Sequence, residues 1–302
     1  MSVALLIPCH NAARFLPELF ACVQAQTVPF DEILCYDDAS TDDTVEVARS
    51  FGARVLQGAE NRGAAFARNR LLEACTCDWL HFHDADDLID PRFVETMNAL
   101  ARRDCRPVLC AMKVVEREGR RLVTVTHFGD LRKAEDPTAW LIEHTAYAII
   151  GLYPLALVRQ MGGFNENLRG NEDPDFHIRL ALAGACFEVC DEALVTNLTR
   201  ADSFSSSNWL RCMQDRLRCL QTYASGPLSP AQDRALGRDA VRIAYEFYRK
   251  MLYSEMDTAL ALGRERGIHV VDSRHALVRF CSRVTGLRLF FRLRTIAREW
   301  RP

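Results

Sequence analysis

Three aspartates follow one short, aromatic-rich stretch of the chain. Residues Trp79 to His83 have the composition of a buried strand, and Asp84, Asp86 and Asp87 come directly after them. Ligands of an open α/β sheet bind at the carboxyl ends of its strands, so carboxylates concentrated there favour a divalent metal site. Hard oxygen ligands indicate Mg²⁺ or Mn²⁺. A solvated turn would use the same residues, and this stretch alone does not decide between the two.

A second acidic group, Glu172, Asp173 and Asp175, stands at the start of an apolar helix predicted for Phe176 to Ala183. Acids at a helix start are favoured by the helix dipole, and one would suffice for that. Three acids beside the glycine-containing loop that begins at Gly162 indicate a pocket in which one carboxylate acts as a general base.

The first two predicted strands also end in polar residues. Val3 to Ile7 leads into Pro8-Cys9-His10-Asn11, and Glu32 to Tyr36 leads into Asp37 and Asp38. A carboxylate at a strand end can accept hydrogen bonds from a nucleotide base or ribose. No G-x-G-x-x-G follows the first strand, which argues against a nicotinamide cofactor.

These strands belong to a regular alternation of strands and helices. With Arg54 to Leu56 and the Trp79 stretch they make four strands, and the helices between them predict a parallel sheet wound in one direction. Arg62, Arg68 and Arg70, around the third helix, are candidates for phosphate contact. Further on, Val108 to Glu116 and Arg121 to His127 predict a hairpin.

The 302 residues carry a net charge of -2 that is unevenly distributed. Residues 206–302 contain 18 basic and 9 acidic side chains, which leaves 20 basic and 31 acidic side chains before them. The twelve cysteines form no paired zinc pattern. No secretory signal is recognised at the start, and no apolar run reaches the roughly 20 residues that a transmembrane helix needs. We expect a cytoplasmic protein without a nucleic-acid partner.

The last hundred residues are predicted to be helical, with helices at Trp209 to Ala224, Ala231 to Leu262 and about Arg274 to Trp300. The last combines an apolar stripe with many arginines. Such a helix can lie on an anionic membrane surface, as a peripheral contact at the inner face, or pack its stripe on the rest of the protein.

Six motifs together resemble glycosyltransferase family 2. They are Pro8-Cys9-His10-Asn11, Asp37-Asp38-Ala39-Ser40-Thr41-Asp42, Asn61-Arg62-Gly63 with Ala67-Arg68-Asn69, Asp84-Ala85-Asp86-Asp87, Gly162-Gly163-Phe164 and Glu172-Asp173. The resemblance covers roughly residues 1–205 and implies an α/β fold of the GT-A type, Rossmann-like, with a mostly parallel central sheet flanked by helices. Residues 206–302 would then form a C-terminal helical region.

The resemblance also implies roles for individual residues. Asp84 and Asp86 look like the family's D-x-D, with Asp86 as the direct metal ligand and Asp84 supporting it, and Asp173 matches the catalytic base. The residues expected to bind the donor are Pro8, His10, Asn11, Asp38, Asn61, Arg68, Asp84 and Asp86. His10 stands where an aromatic side chain is commoner in the family.

The implied activity is inverting, metal-dependent transfer of one sugar from a nucleotide-diphosphate sugar, expected to be a UDP-sugar, to a saccharide or lipid-linked acceptor. Bacterial surface polysaccharide or glycolipid synthesis is the expected setting. The segment Arg200-Ala201-Asp202-Ser203 lacks the histidine that many members carry there, and the Gln-x-x-Arg-Trp motif of processive synthases is absent. A sugar-phosphate nucleotidyltransferase and a non-catalytic nucleotide-sugar-binding protein remain as alternatives.

Overall fold

The computed structural model of the chain describes residues 1–104, 106–200, 207–269, 282 and 286–291. They divide into two compact units. The first contains Met1–Pro137 and Ala146–Trp209, and the second contains Thr138–Thr145 and Leu210–Pro302.

The first unit is built on a mixed sheet in the strand order β3-β2-β1-β4-β8-β6-β9-β5, with β7 paired to β6. The strands in the described part are β1 (Val3–Cys9), β2 (Glu32–Asp37), β3 (Arg54–Gln57), β4 (Trp79–Phe82), β5 (Leu88–Ile89), β6 (Val108–Glu116), β7 (Leu122–Thr126), β8 (Gly151–Pro154) and β9 (Glu188–Thr199).

Helices surround this sheet and make up most of the second unit. In the described residues they are α1 (Leu16–Gln24), α2 (Thr44–Ser50), α3 (Ala64–Ala74), α4 (Phe93–Asp104), α5 (Gly129–Arg132), α6 (Pro137–Glu143), α7 (Leu155–Gln160), α8 (Glu172–Leu182), α9 (Trp209–Ala224), α10 (Pro230–Arg249) and α11 (Tyr253–Glu265), with a 3₁₀ turn at Ala148–Ile150. None of these helices is both long and apolar enough to cross a membrane.

The four predicted strands β1 to β4 form the parallel part of the sheet. They do not wind in one direction, so that prediction is wrong: β2 pairs with one edge of β1 and β4 with the other. The side chains of Val3 to Ile7 are buried, so β1 is a central strand that needs a neighbour on each side. The reversal of strand order beside β1 opens a crevice at the carboxyl ends of the strands, where α/β proteins bind ligands.

The rest of the sheet is mainly antiparallel. The predicted hairpin of β6 and β7 is confirmed. Strand β9, for which the sequence analysis predicts no element, runs parallel to β6 and antiparallel to β5. It therefore brings the chain from Asn197 to Arg200 next to the acidic turn that follows β4.

The second unit corrects one helix prediction. The helix predicted for Ala231 to Leu262 is interrupted, because α10 ends at Arg249 and α11 begins at Tyr253. Met251 lies between them with a φ of 58°, a left-handed conformation that no helix continues. The basic helix predicted for about 274–300 lies outside the described residues except for 282 and 286–291, which are helical.

Candidate active site

The ends of β1 and β2 are fastened to each other by side-chain hydrogen bonds. The ring of His10 is exposed, and its Nδ1 lies 2.9 Å from the carbonyl oxygen of Asp38, which makes Nδ1 the protonated nitrogen. Asn11, with a φ of 50°, accepts a hydrogen bond at Oδ1 from the Thr41 amide over 2.8 Å. Pro8 is half-buried within β1, opposite Tyr36. The exposed imidazole face is thus held at a fixed place beside the crevice.

The carboxylate of Asp38 organises the next loop. It is 3% exposed and accepts hydrogen bonds from the backbone amides of Arg62, at 2.9 Å, and Gly63, at 2.6 Å. These amides stand at the N-terminus of α3, where the helix dipole favours a negative charge. Asn61 is exposed, and its carbonyl oxygen accepts a hydrogen bond from Arg169 over 3.3 Å. Asp38 therefore fixes this loop, and its contact with a nucleotide stays a prediction.

The acidic turn after β4 is anchored by its third aspartate. Asp87 is 1% exposed and accepts hydrogen bonds from Asn197 Nδ2, at 2.9 Å, and from the Leu198 amide, at 2.8 Å. Burial, and then the charges of Asp86 and Asp84, raise its pKa well above the usual aspartate value. Asp87 therefore serves to position the turn, and it leaves the carboxylates of Asp84 and Asp86 partly open to solvent.

Asp86 lies beside a group of arginines. Arg200 Nη2 is 3.1 Å from its carboxylate, and Arg117 donates a hydrogen bond to its carbonyl oxygen. Both guanidinium groups lie over the ring of Phe15, at 4.5 and 4.6 Å from its centre. Burial and the neighbouring Asp84 raise the pKa of Asp86, and Arg200 opposes that shift. A cation next to these carboxylates would oppose this rise in the pKa of Asp86, because it favours the ionised form.

The second acidic group is fixed by the first turn of α8. The residue before this helix, Asn171, has a φ of 63°. The ring of His177 is fully buried, with Nδ1 2.8 Å from the Asp173 carbonyl oxygen and Nε2 2.9 Å from the Tyr153 hydroxyl. Burial lowers the pKa of His177 to about 4, so the ring is neutral and donates from Nδ1 to the carbonyl. Tyr153 and His177 thus hold the backbone of Asp173 in place.

Arg68 joins the two acidic groups. This guanidinium is buried and makes three charge-assisted hydrogen bonds: from Nη1 to Asp173 at 2.9 Å and to Glu172 at 3.2 Å, and from Nη2 to Asp84 at 2.8 Å. Burial would lower the pKa of Arg68, but the three carboxylates raise it, so the group stays charged. Residues about a hundred positions apart in the sequence therefore meet at Arg68. The phosphate contact predicted for Arg68 stays a prediction.

The environment of Asp173 raises its pKa to about 7. Burial is the main cause. Arg68 opposes it, while Glu172 and Asp84 add to it. A carboxylate with a pKa near neutrality can take up a proton during a reaction and release it again, which is what a general base requires.

Similarity to known proteins decides the family of this chain. The family model described as "Glycosyl transferase family 2" matches residues 4–154, half of the 302 residues. The chain belongs to glycosyl transferase family 2. The resemblance predicted from the sequence is thereby confirmed. The matched range of this family 2 protein includes Asp38, Asp84 and Asp86, and it ends before Asp173.

Two curated relatives illustrate the similarity. The uncharacterised glycosyltransferase YibD of Escherichia coli is 35% identical over 107 residues, which cover 34% of this chain and 31% of YibD. The putative teichuronic acid biosynthesis glycosyltransferase TuaG of Bacillus subtilis is 25% identical over 215 residues, which cover 68% of this chain and 82% of TuaG. The chain thus spans about a third of YibD and most of TuaG.

Two solved structures share the fold. S. aureus TarS 1-349 in complex with UDP-GlcNAc superposes with a TM-score of 0.63 at 19% identity, over 89% of this chain and 93% of that one. The mannosyltransferase PcManGT from Pyrobaculum calidifontis, in complex with GDP-Man and Mn²⁺, has a TM-score of 0.59 at 16% identity, over 87% and 86% of the two chains. The predicted α/β fold of the GT-A type is confirmed, as a mixed sheet.

The candidate metal ligands of this family 2 protein suit a metal ion that is also bound by the substrate. Among the described residues, no group of three or more His, Cys, Asp or Glu side chains is arranged to hold a metal ion, so they form no all-protein cage. Asp84 and Asp86 offer two partly open carboxylates. Mg²⁺ in nucleotide enzymes is commonly held by one or two carboxylates, substrate phosphates and water, and two carboxylates satisfy that requirement.

Several residues of the site carry no signal in the sequence. Tyr147 is 41% exposed, and partial burial together with the nearby Asp173 carboxylate raises its pKa. The roles of Asn197, Tyr153 and His177 also depend on contacts between distant segments. The sequence pattern does not reveal them, because each acts through side-chain hydrogen bonds made from an ordinary strand or helix.

Proposed function

We propose that this family 2 glycosyltransferase transfers a sugar from a nucleotide-diphosphate sugar to an acceptor hydroxyl, with inversion and with a divalent metal. The observation that carries the proposal is the Arg68 junction, where Asp173 from α8 and Asp84 from the end of β4 bind one buried guanidinium at 2.9 and 2.8 Å. In a single displacement the general base and the site of the leaving group must lie close together. The shared contact of Asp173 and Asp84 with Arg68 supports this arrangement.

In the proposed reaction the acceptor oxygen forms a bond to the anomeric carbon as the bond from that carbon to the diphosphate oxygen breaks. Asp173 takes the proton of the acceptor hydroxyl, a contribution typically worth about 10²- to 10⁴-fold in rate. Attack from the face opposite the diphosphate inverts the anomeric centre. Arg68 is a positioning residue, which binds Asp173 and whose charge lowers the pKa of that carboxylate.

We assign the metal to Asp86 and Asp84. Mn²⁺ or Mg²⁺ held there with the donor phosphates would supply positive charge to the leaving diphosphate. His10, Asn11 and Pro8 border the crevice on the nucleoside side, where the exposed imidazole can stack on a base. The TarS complex supports a UDP-sugar as donor and the PcManGT complex supports Mn²⁺, each by fold alone.

The acceptor is proposed to be a saccharide or a lipid-linked saccharide of the bacterial surface. The similarity to TuaG, a putative teichuronic acid biosynthesis glycosyltransferase, supports this setting. Addition of a single sugar and a place at the inner face of the membrane are part of the same proposal. Tyr147, exposed beside Asp173, offers an aromatic surface to the acceptor.

Asp173→Asn tests the proposal. A thermal-shift screen of nucleotide sugars with Mn²⁺ first identifies the donor, and transfer and calorimetric donor binding are then measured for the variant. We expect transfer to fall by at least about 10²-fold with donor affinity unchanged. Asp175→Asn is the matched control, because Asp175 is also buried in the first turn of α8 but pairs with Arg179 at 2.7 Å. Retained turnover in Asp173→Asn would remove this residue as the base. Donor binding without transfer in the wild type would favour a non-catalytic protein.

A further inference from the structure

The turn between α10 and α11, residues Arg249 to Tyr253, exposes an apolar side chain at a strained position. Met251 is 74% exposed, and its φ of 58° is left-handed. The amides of Met251 and Leu252 close the end of α10 through hydrogen bonds to Tyr248 and Phe247, at 2.9 and 3.0 Å. Helix ends of this kind normally have glycine or asparagine at the left-handed residue. A methionine is strained in that conformation, because its Cβ crowds the following carbonyl oxygen.

More apolar surface adjoins the turn. A cavity of about 740 Å³ lies beside it, and its wall includes Tyr248, Tyr253, Met256, Leu287 and Leu289. Tyr253 and Leu289 are 49% and 48% exposed. The ring centres of Tyr248 and Tyr253, both in the cavity wall, lie 6.3 Å apart. Tyr253 and Leu289 thus leave apolar area exposed around the cavity.

Basic side chains border this apolar surface. Arg264 and Arg288 line the cavity, and Arg249 and Lys250 directly precede Met251. The pairs of Arg288 with Asp257 and of Arg249 with Glu246, both at 3.1 Å, are solvent-exposed and worth little. No ion pair to Arg264 occurs within the described ranges. The group presents positive charge around an apolar tip.

We propose that Met251, Tyr253, Leu289 and the adjoining cavity form a binding surface for an anionic phospholipid bilayer. Met251 enters the edge of the acyl region, and the two tyrosines lie at the level of the headgroups, where amphipathic rings are favoured. Arg264, Arg288 and Lys250 contact the lipid phosphates. Methionine, tyrosine and arginine are also enriched at protein interfaces, so a wild type that fails to bind vesicles would point to a protein partner instead.

This surface is independent of the proposed reaction, and it includes Arg288 and Leu289 from the basic helix predicted for about 274–300. It uses none of the residues assigned to the active site, and all of its residues belong to the second unit. Membrane binding through it would raise the local concentration of a lipid-linked acceptor.

Co-sedimentation of the full-length protein with vesicles tests the proposal. Vesicles of phosphatidylcholine with about 30% phosphatidylglycerol are compared with vesicles of pure phosphatidylcholine. The phosphatidylglycerol gives the first kind a negative surface. We expect Met251→Asn to weaken binding to the anionic vesicles by about tenfold, since its apolar side chain no longer enters the bilayer. Asparagine tolerates the left-handed conformation, so the thermal midpoint should not fall. Arg264→Gln should weaken binding by about fivefold.

Two further variants make the result specific. Met251→Leu keeps the apolar side chain and should bind as the wild type does. Leu122→Asn removes a comparably exposed apolar side chain, 54% exposed on β7, and should leave binding unchanged. Equal partitioning of the wild type and Met251→Asn would overturn the proposal, as would a wild type that fails to bind anionic vesicles.

Discussion

Arg68 Nη1 lies 2.9 Å from Asp173 Oδ1, across 105 residues of sequence, and both side chains are largely buried. A buried carboxylate would be a strong base that is protonated at neutral pH, and the arginine moderates that effect. The basicity of Asp173 is thus a balance between burial and one specific partner.

The first prediction concerns this balance. Asp173 must be deprotonated to act as a base, so kcat/KM should rise with pH and be half-maximal near pH 7, where the pKa of Asp173 lies. Arg68→Met removes the charge that lowers this pKa, so the rise should move to higher pH, and activity at pH 7 should fall more than activity at pH 9. The pH profile of kcat/KM measures both.

Two further variants test the direction in which the pH profile of kcat/KM moves. Glu172→Gln removes a charge that raises the pKa of Asp173, so its profile should move to lower pH. Arg70→Met removes a neighbouring arginine of α3 that pairs with Glu73 and Glu166 instead. It should leave the profile in place. Profiles that coincide for all four proteins would contradict the assignment of Asp173.

The second prediction concerns the metal. Donor binding by the wild type should weaken when EDTA removes the divalent ion, whereas Asp86→Asn should bind the donor weakly with or without EDTA. The reason is that the carboxylate lost in the variant is the one assigned to the metal. Isothermal calorimetry with the donor identified by the thermal-shift screen measures the difference. Tight, EDTA-sensitive binding in Asp86→Asn would move the metal to other residues.

The third prediction concerns a close approach behind the site. Gly163 has a φ of 66°, and a Cβ added there would overlap with Asn69 Oδ1, which accepts a hydrogen bond from the Phe164 amide at 2.8 Å. Gly163→Ala should therefore lose about 2–4 kcal/mol of unfolding free energy, from strain and a broken hydrogen bond.

Gly162→Ala is the matched control, because Gly162 also has a left-handed φ, of 82°, but a Cβ added there would meet no other atom within 4 Å. It should cost only the conformational strain, about 1 kcal/mol. Urea unfolding of the two variants separates the two contributions, and equal losses would show that the contact with Asn69 contributes nothing.

Much of the parallel part of the sheet could be predicted from the sequence, because the runs at Val3, Glu32 and Trp79 are short, apolar and separated by helical periodicity. The edge of β1 with which β4 pairs could not be predicted, since this pairing depends on which edge of β1 the other strands leave open. Strand β9 was missed because its residues alternate imperfectly and it pairs with β6 through register shifts.

The acidic groups were recognisable because carboxylates at strand and helix ends are chemically unusual. Their connection was not: the resemblance assigns Arg68 to donor binding, but nothing in the sequence indicates that Arg68, and not Arg70 on the same helix, joins the two acidic groups. Burial separates the two: Arg68 faces three carboxylates, while Arg70 is partly exposed. The break at Met251 was missed for a similar reason, since a methionine gives no warning of a left-handed residue.

The hydrogen bonds from Asn197 to Asp87 have a practical consequence for producing the protein. Asn197, Leu198 and Thr199 form an acceptor sequence for N-linked glycans, and the amide nitrogen that would carry the glycan is the one that holds the acidic turn. Secretion from a eukaryotic host would risk attaching a sugar chain there before folding is complete, and the turn could then no longer reach β9. Expression in a bacterial cytoplasm avoids this modification.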